Sequence, residues 1–406
     1  MTGLLEGVKI LDMGQVVAVP AAGGMLADWG AEVVKVEPLT GDTLRGVRMN
    51  VGVDAQPESD NSSIDWHMQL FNKNKKSIAL DLKQDAGREI VYKLVKKYDI
   101  FMTNYEMQSI TKLKMDYATL SNHNPSLIYG LLSAYGTVGP DKDERGYDYG
   151  AAWARGGIQN LIGEPDSIPP AQRGGMMDRL VGGFIAAGIL AAMFHREKTG
   201  KGQEIEFTLY HTGVWAVAGD IQNALKGMPV KSNNRVQPPN PLSNCYYSKD
   251  GRWFRLSLLH SDEYWPTLLR VFNLPELKDD PRFTTMDLRA KNASELVPLL
   301  DKVFGSINMA ELEKLFRANG LAYGKVQTPT EIINDPQAIL NGIFEEKNVP
   351  GDGKVKIVTP PIRFKQNPGT FRTFAPELGQ NTEELLLDLG YGWEDIAGLK
   401  ERRVVL

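Results

Sequence analysis

The first candidate for chemistry is a single carboxylate, Asp178, which stands just ahead of a long run of small and apolar residues. Residues 182–194 carry no charge and mix glycine and alanine with larger apolar side chains, which predicts a helix buried on all sides. A carboxylate at the beginning of such a helix caps free backbone N–H groups, or it lies at the edge of a dry pocket as a nucleophile or base. The local sequence leaves both interpretations open.

A second candidate group is basic. Lys73, Lys75 and Lys76 are interleaved with Asn72 and Asn74 in a predicted loop ahead of an apolar run. Cations in such a place suit the phosphates of a nucleotide. A solvated, charged turn explains the same residues equally well.

A third group lies between these lysines and Asp178. Tyr147 is followed by Arg155 and a pair of glycines, a combination that suits a substrate pocket. In that pocket Arg155 or Arg173 would pair with a carboxylate. A purely structural turn is the alternative.

Several classes of function find no support in the sequence. The five histidines show no metal-ligand spacing, and GxGxxG, P-loop and GxSxG motifs are absent, so no metal site and no nicotinamide or flavin cofactor is expected. A net charge of −4 gives no reason to expect a nucleic-acid partner. The single cysteine, the absence of a leader and an apolar run too short to span a bilayer lead us to expect a cytoplasmic protein without a membrane partner.

The elements that must position these residues form an alternating pattern. Apolar runs at 8–13 and 31–37 flank a small-residue helix at 21–29, which predicts a βαβ unit with parallel strands. A ligand is then expected at the carboxyl ends of the strands. Further strands are predicted at 77–82, 99–103 and 128–132, with a helix at 84–97, and a strand that runs into a helix at 203–222. The fold class is therefore α/β with an open sheet.

The alternating pattern of predicted strands and helices ends after residue 225. A turn signal at Lys249-Asp250-Gly251 predicts a hairpin, and helical patterns follow at 261–272, 293–304 and 309–319. We therefore divide the chain into a large α/β domain (1–225), a smaller α+β domain (226–330) and a C-terminal segment (331–406) that returns to the large domain.

Taken in order, five stretches resemble the family III CoA-transferases, a family that includes the α-methylacyl-CoA racemases. They are residues 4–37, Gly41-Asp42, 72–83, 199–210 and Asp335-Pro336-Gln337. The resemblance covers essentially the whole chain. It implies a Rossmann-like, mostly parallel sheet formed by the N- and C-terminal parts, a smaller domain, and an interlocked homodimer.

The resemblance also implies roles for individual residues. Asp178 falls where the transferases carry a nucleophilic aspartate, which forms an aspartyl-CoA thioester with CoA esters as co-substrates and without any cofactor. Val17, Tyr147 and Arg155 are expected in the substrate pocket. The residues expected to contact CoA are Val16, Ala18, Asn72, Lys75, Asn104, Tyr105, Lys112 and Arg145.

Departures from the family pattern narrow the substrate. Formyl-CoA transferases have a first-loop glutamine where this chain has Val17, with Gln15 two residues earlier, and Asn240-Pro241 stands in the region of their tetraglycine loop. Racemases have a GHD motif where this chain has Gly146-Tyr147-Asp148, and tyrosine, with a usual pKa of about 10, is a poor base at neutral pH.

The run at 139–157 is most similar to transferases that act on 2-hydroxy acids and the matching 2-enoyl-CoA esters, as in amino-acid fermentation. An acyl-CoA racemase or epimerase and a non-catalytic CoA-binding paralogue are the alternatives.

Overall fold

The computed structural model describes residues 3–45, 65–349 and 353–406, so most of the predicted irregular segment 38–65 lies outside the described residues. The chain divides into two compact units. The first comprises Met1–Gln159, Ala171–Pro229 and Gly342–Leu406, and the second Asn160–Pro170 and Val230–Asn341. The sequence-based boundaries after residues 225 and 330 thus differ from the structural ones by four and eleven residues. Residues 160–170 were not singled out in the sequence.

The strands are β1 (Lys9–Met13), β2 (Glu32–Glu37), β3 (Lys75–Ala79), β4 (Ile100–Thr103), β5 (Ile128–Ser133), β6 (Gln203–Thr208), β7 (Cys245–Tyr247), β8 (Trp253–Leu256), β9 (Tyr323–Lys325), β10 (Phe344–Val349) and β11 (Gly353–Val358). The helices are α1 (Ala18–Asp28), α2 (Trp66–Asn72), α3 (Asp85–Val95), α4 (Met107–Leu113), α5 (Tyr117–Ser121), α6 (Ile158–Leu161), α7 (Met176–Thr199), α8 (Leu209–Ala216), α9 (Ala218–Leu225), α10 (Ser261–Val271), α11 (Met286–Lys291), α12 (Ala293–Phe304), α13 (Met309–Ala318), α14 (Pro329–Ile332), α15 (Pro336–Leu340), α16 (Thr382–Asp388) and α17 (Trp393–Glu401). Tyr149–Ala154 forms a π-helix and Pro275–Leu277 a 3₁₀ turn.

The first unit is built on a six-stranded sheet with the order β3-β2-β1-β4-β5-β6. Every neighbouring pair is parallel; Leu11 of β1, for example, is in register with Val34 on one side and Phe101 on the other. This is the strand order of the Rossmann fold, whose ligands bind where the order reverses, between β1 and β4. The predicted parallel α/β sheet is confirmed.

Helices cover both faces of this sheet, which explains why its strands are apolar on both sides. Ile10 belongs to a core shared with α1 and α7, whereas its neighbour Leu11 belongs to a core shared with α3, α16 and α17. The first unit therefore contains both chain ends. However, the six strands of the parallel sheet lie between residues 9 and 208, and the C-terminal part adds helices, a separate antiparallel pair formed by β10 and β11, and an isolated antiparallel bridge between Leu80 and Val405. A sheet formed by both ends was the expectation, and this detail is corrected.

Helix α7 differs from its prediction in burial. It packs closely on α1: a Cβ added to Gly182 would lie 3.0 Å from Ala21 Cβ. Its other face is exposed, including Leu180, Phe184 and Phe194, so the helix is not buried on all sides within one chain. At 24 residues it is long and apolar enough to cross a membrane by length and composition, contrary to our expectation, although its inner face lies in the core of the first unit.

The second unit combines a small antiparallel sheet with helices. Strand β8 pairs with β7 and with β9, which confirms the predicted hairpin and adds a third strand that the sequence did not reveal. Helix α12 buries Leu296, Leu300 and Phe304 at four-residue spacing against this sheet's core. The predicted α+β character is therefore observed.

Candidate active site

Asp178 lies in the first turn of α7 and does not cap it. The residue before the helix is Gly175, in a left-handed conformation with φ of 67° and no side chain to accept a hydrogen bond. Capping comes instead from Asp148, which is 2% exposed and whose Oδ2 accepts a hydrogen bond from Met177 N at 3.2 Å. Among the described residues none donates a hydrogen bond to the Asp178 carboxylate. The capping interpretation of Asp178 is therefore wrong, and its oxygens are left for another partner.

The surroundings of Asp178 make its carboxylate unusually basic. Burial raises its pKa to about 7, and the nearby Asp148 carboxylate contributes in the same direction, while Arg179 opposes the shift. Burial also raises the pKa of Asp148, although hydrogen bonds from backbone N–H groups stabilise its charge and partly offset this rise. A carboxylate that is poorly solvated yet ionisable near neutral pH has the properties of a nucleophile or a base.

Asp178 faces a cavity of about 490 Å³ inside the first unit. Among the described residues, its walls come from the segments that follow β1 and β4, from the end of β5 and the segment after it, from Thr43 beyond β2, and from Leu209 at the start of α8. The cavity thus lies where the strand order reverses, the place at which this architecture binds ligands. Its volume suits a ligand of moderate size or part of a larger one.

Two predicted CoA ligands, Asn104 and Tyr105, line this cavity and also support its wall. Asn104 Oδ1 accepts from Gln15 N at 2.8 Å, and Asn104 Nδ2 donates to Gln15 O at 2.9 Å. Gln15 Nε2 donates to Tyr105 Oη at 2.8 Å. Val16, Val17 and Ala18 continue the same wall, as expected. These side chains therefore bridge the two segments at the reversal point.

The cations of the cavity are Arg145, which was predicted, and Lys142, which was not. Arg145 Nε lies 2.9 Å from Glu106 Oε1, and its side chain is 83% exposed. Such a solvated ion pair contributes little free energy, so the guanidinium can exchange Glu106 for a phosphate. Lys112 lies in the last turn of α4 and is exposed, but it does not line the cavity.

Asn72 and Lys75 are placed where they do not reach the cavity. Lys75 begins β3 and is buried; its Nζ contacts Asp12 Oδ2 at 2.6 Å, Pro20 O at 2.9 Å and Asn72 Oδ1 at 2.9 Å. Burial lowers the pKa of Lys75 to about 8, and Asp12 opposes that shift. The expectation that these residues contact CoA is corrected, because all three donor directions of the ammonium are used inside the protein.

Of the predicted substrate-pocket residues, Val17 and Tyr147 line the cavity and Arg155 does not. Arg155 forms an ion pair with Asp141, and its guanidinium lies over the rings of Tyr135 and Tyr210, at 4.8 and 5.2 Å from their centroids. The pairing of Arg155 with a substrate carboxylate stays a prediction. The sequence missed Asp148, although the Gly146-Tyr147-Asp148 motif was the signal that could have identified it.

Residues 3–45, 65–349 and 353–406 contain no group of three or more histidine, cysteine, aspartate or glutamate side chains that could hold a metal ion. The single cysteine, Cys245, lies in the second unit and is half-buried.

Comparison with known proteins gives one consistent result. The family model described as CoA-transferase family III matches residues 5–382. The chain is 33% identical to (R)-2-hydroxy-4-methylpentanoate CoA-transferase of Clostridioides difficile, over 99% of both chains. It is 30% identical to cinnamoyl-CoA:phenyllactate CoA-transferase of Clostridium sporogenes, over 100% of this chain and 98% of the relative. A CAIB/BAIF family protein from Brucella suis has a solved structure with a TM-score of 0.81 and 27% identity, covering 96% of this chain and all of that one.

Proposed function

This chain belongs to CoA-transferase family III, and we propose that it moves CoA from an acyl-CoA thioester to a 2-hydroxy acid or 2-enoic acid through a covalent intermediate on Asp178. The observation that carries the proposal is Asp178 itself: a carboxylate without a hydrogen-bond donor among the described residues, half-buried in the cavity wall, with a pKa raised to about 7. Two similar proteins named as 2-hydroxy acid transferases support the acceptor class.

The reaction needs no cofactor and no net proton transfer. An oxygen of Asp178 attacks the carbonyl carbon of the donor thioester, forming a mixed anhydride and expelling CoA as a thiolate. The thiolate attacks the aspartyl carbonyl carbon, which releases the donor acid as its carboxylate and leaves aspartyl-CoA. The acceptor carboxylate then attacks aspartyl-CoA, and the thiolate released in that step attacks the acceptor acyl carbon. The products are a new CoA ester and a free Asp178 carboxylate.

Each activated intermediate in this sequence is also a substrate for hydrolysis, so the site must exclude water. The glycine- and alanine-rich contact between α1 and α7 supports this requirement, because it packs the two helices closely one turn beyond Asp178, where a Cβ on Gly182 would lie 3.0 Å from Ala21 Cβ. At the cavity mouth, Lys142 and Arg145 offer positive charge to the phosphates of CoA.

We propose further that the chain acts as a homodimer in the cytoplasm. The exposed apolar face of α7, formed by Leu180, Phe184 and Phe194, supports an interface with a second copy. The family resemblance supports the same assembly in its interlocked form. A single cysteine supports a reducing compartment. A role in amino-acid fermentation is proposed from the acceptor class alone.

The test is intact-protein and peptide mass spectrometry after the protein is mixed with CoA esters of 2-hydroxy, 2-enoic and dicarboxylic acids. We expect a CoA adduct confined to the Asp178 peptide, conversion of that residue to a hydroxamate by hydroxylamine, and its reduction to an alcohol by borohydride. Asp178→Ala is the matched control and should show no adduct. In deuterated water, α-deuterium in the recovered ester without any protein adduct would instead establish a racemase.

A further inference from the structure

The segment that follows β1 contains a strained residue. Val16 has a φ of 64°, in the left-handed region that β-branched side chains rarely adopt. It lies in the cavity wall, within the first loop, which we define as residues 14–17. Strained conformations of this kind persist only where surrounding groups hold them, and they concentrate at functional sites.

A buried ion pair holds the first loop in this conformation. Asp42 Oδ1 accepts hydrogen bonds from Val16 N at 3.0 Å and from Leu44 N at 2.8 Å. Asp42 Oδ2 lies 2.7 Å from Lys35 Nζ, as an ionic contact rather than a well-directed hydrogen bond, and both side chains are fully buried. Lys35 Nζ also donates to Gly14 O at 2.9 Å. The Lys35–Asp42 ion pair therefore binds the first loop both at its beginning, through Gly14, and at its centre, through Val16.

The position of Asp42 is itself fixed by Glu37 and Arg45. Its backbone N donates to Glu37 Oε1 at 3.0 Å, and Arg45 binds both oxygens of Glu37. If Val16 relaxed to an ordinary φ, its N–H would leave Asp42, and a buried carboxylate would lose a donor that no solvent can replace. The strained conformation of Val16 thus persists because disturbing the buried charges would cost more free energy than the strain itself.

We propose that Asp42 is a positioning residue of the CoA site: with Lys35 it keeps Val16 left-handed and so fixes the surface that the first loop presents to an acyl-CoA. Asp42 does not line the cavity, so it acts through the loop and not by contact with the substrate. The proposal rests on the proposed function for the identity of the ligand. The conformational part rests on the described contacts alone.

The test is a double-mutant cycle between Asp42→Asn and Val16→Gly. Asparagine offers Val16 N only a weaker, uncharged acceptor and brings no negative charge to Lys35, so the loop relaxes, and we expect KM for the acyl-CoA to rise about tenfold with a smaller change in kcat. Glycine adopts positive φ without strain. In the Val16→Gly background, Asp42→Asn should therefore raise KM by no more than about twofold. Additive effects on KM would overturn the proposal, because a merely structural role predicts no rescue.

Asp99→Asn is the matched control. Its carboxylate also joins a backbone donor, Lys9 N at 2.8 Å, to a cation, Arg196 Nη2 at 2.9 Å, but it lies at the amino end of β4, away from the cavity. This variant should lose stability without a change in KM. If Asp42→Asn fails to fold, Val16→Pro serves instead, because proline cannot adopt positive φ, and the same rise in KM is expected.

Hydrogen exchange separates the two proposals. The Val16 amide should exchange at least tenfold faster in Asp42→Asn than in the wild type or in Asp99→Asn. A wild type that transfers CoA, combined with unchanged KM and unchanged exchange in Asp42→Asn, would refute the positioning role and leave the proposed function intact. A wild type that neither binds nor transfers CoA would refute the proposed function, while the exchange rates would still decide the role of Asp42.

Discussion

Asp148 and Asp178 show how the surroundings give two carboxylates different tasks. Asp148 accepts hydrogen bonds from the first backbone amides of α7, so its charge serves the helix. Asp178, one residue beyond Met177, has no such donor in the part of the chain that the structure describes, and burial and the charge of Asp148 both raise its pKa. Asp148 therefore stabilises the beginning of α7, and its charge helps to keep the Asp178 carboxylate basic.

Removal of the Asp178 carboxylate should separate catalysis from binding. For Asp178→Ala we expect a loss of at least about 10³-fold in kcat with CoA affinity largely retained, because the covalent route is lost while the cavity wall remains. Steady-state transfer assays and calorimetry with free CoA measure the two effects. Asp220→Ala, which removes a carboxylate from the first turn of α9, is the control and should keep normal activity. Near-normal transfer by Asp178→Ala would show that the nucleophile lies elsewhere.

The pH dependence of the reaction should follow the Asp178 carboxylate. Only the ionised form attacks a thioester, so kcat/KM should rise with pH and level off above about 7, the raised pKa of Asp178. In Asp148→Asn the repulsion from the neighbouring charge is absent, while burial and Arg179 remain. The midpoint should therefore move to lower pH.

Profiles of kcat/KM between about pH 5 and pH 9 measure the direction of this shift. Asparagine can still cap α7, so the variant is expected to fold. Asp220→Asn provides the control and should reproduce the wild-type profile. Coincident midpoints in Asp148→Asn and the wild type would mean that another group limits the rate at low pH.

At the scale of elements, the contact between α1 and α7 sets the position of both Asp178 and the first loop. Gly182 lies where a Cβ would be 3.0 Å from Ala21 Cβ and 3.1 Å from Ala18 O, whereas a Cβ on its neighbour Gly183 would meet nothing within 4 Å. Gly182 should therefore be sensitive to substitution by a larger residue, and Gly183 should tolerate it. Gly182 permits the helices to approach, and Gly183 only weakens its own helix.

Gly182→Ala and Gly183→Ala should therefore change stability in opposite directions. We expect Gly182→Ala to lower the free energy of unfolding by about 1–3 kcal/mol through overpacking, with a fall in kcat as α7 is displaced from α1. Gly183→Ala should raise it by about 0.5–1 kcal/mol, because alanine is the better helix former. Chemical denaturation of both variants measures the difference. Equal effects would show that the helices adjust freely at this contact.

The elements were predictable where the signal is local. Alternation and turn residues identified the β1–α1–β2 unit and the hairpin at β7 and β8, and the small-residue run identified α7. Lys75 was misjudged because its partner Asp12 is 63 residues away in sequence, so nothing near Lys75 shows that its ammonium is buried. The contacts of Arg155 were missed for the same reason, since Asp141 and Tyr210 come from different segments. Long-range pairing of charges decided what these residues do.

At the scale of the whole molecule, the resemblance identified the family and the fold class, and Asp178 as the nucleophile stays a proposal, but the contacts around Asp178 were not predicted. Asp148 caps α7 from 29 residues away, a contact visible only in three dimensions. The same holds for the exposed face of α7: a run that is apolar on all sides predicts burial, and in one chain only the faces toward α1 and the sheet are covered among the described residues. The remaining apolar surface is the part of the prediction that a second chain would complete.

If a second copy covers α7, placing a charge on its outer face should disrupt the assembly. For Phe184→Glu, refolded from denaturant so that interlocked chains can separate, we expect a larger fraction of monomer, because a carboxylate buried in an apolar interface must be desolvated without a partner. Sedimentation equilibrium across a range of concentrations measures the change, and hydrogen exchange on α7 should increase in parallel.

Ile168→Glu is the control: this side chain is 92% exposed in a loop of the second unit, so the same charge there should leave the assembly unchanged. An unaltered dimer in Phe184→Glu would exclude this face of α7 from the interface, and a wild-type monomer would refute the dimer itself. Because the cavity and Asp178 lie entirely within the first unit of one chain, a monomeric variant that remains folded should still form the covalent adduct, which separates assembly from chemistry.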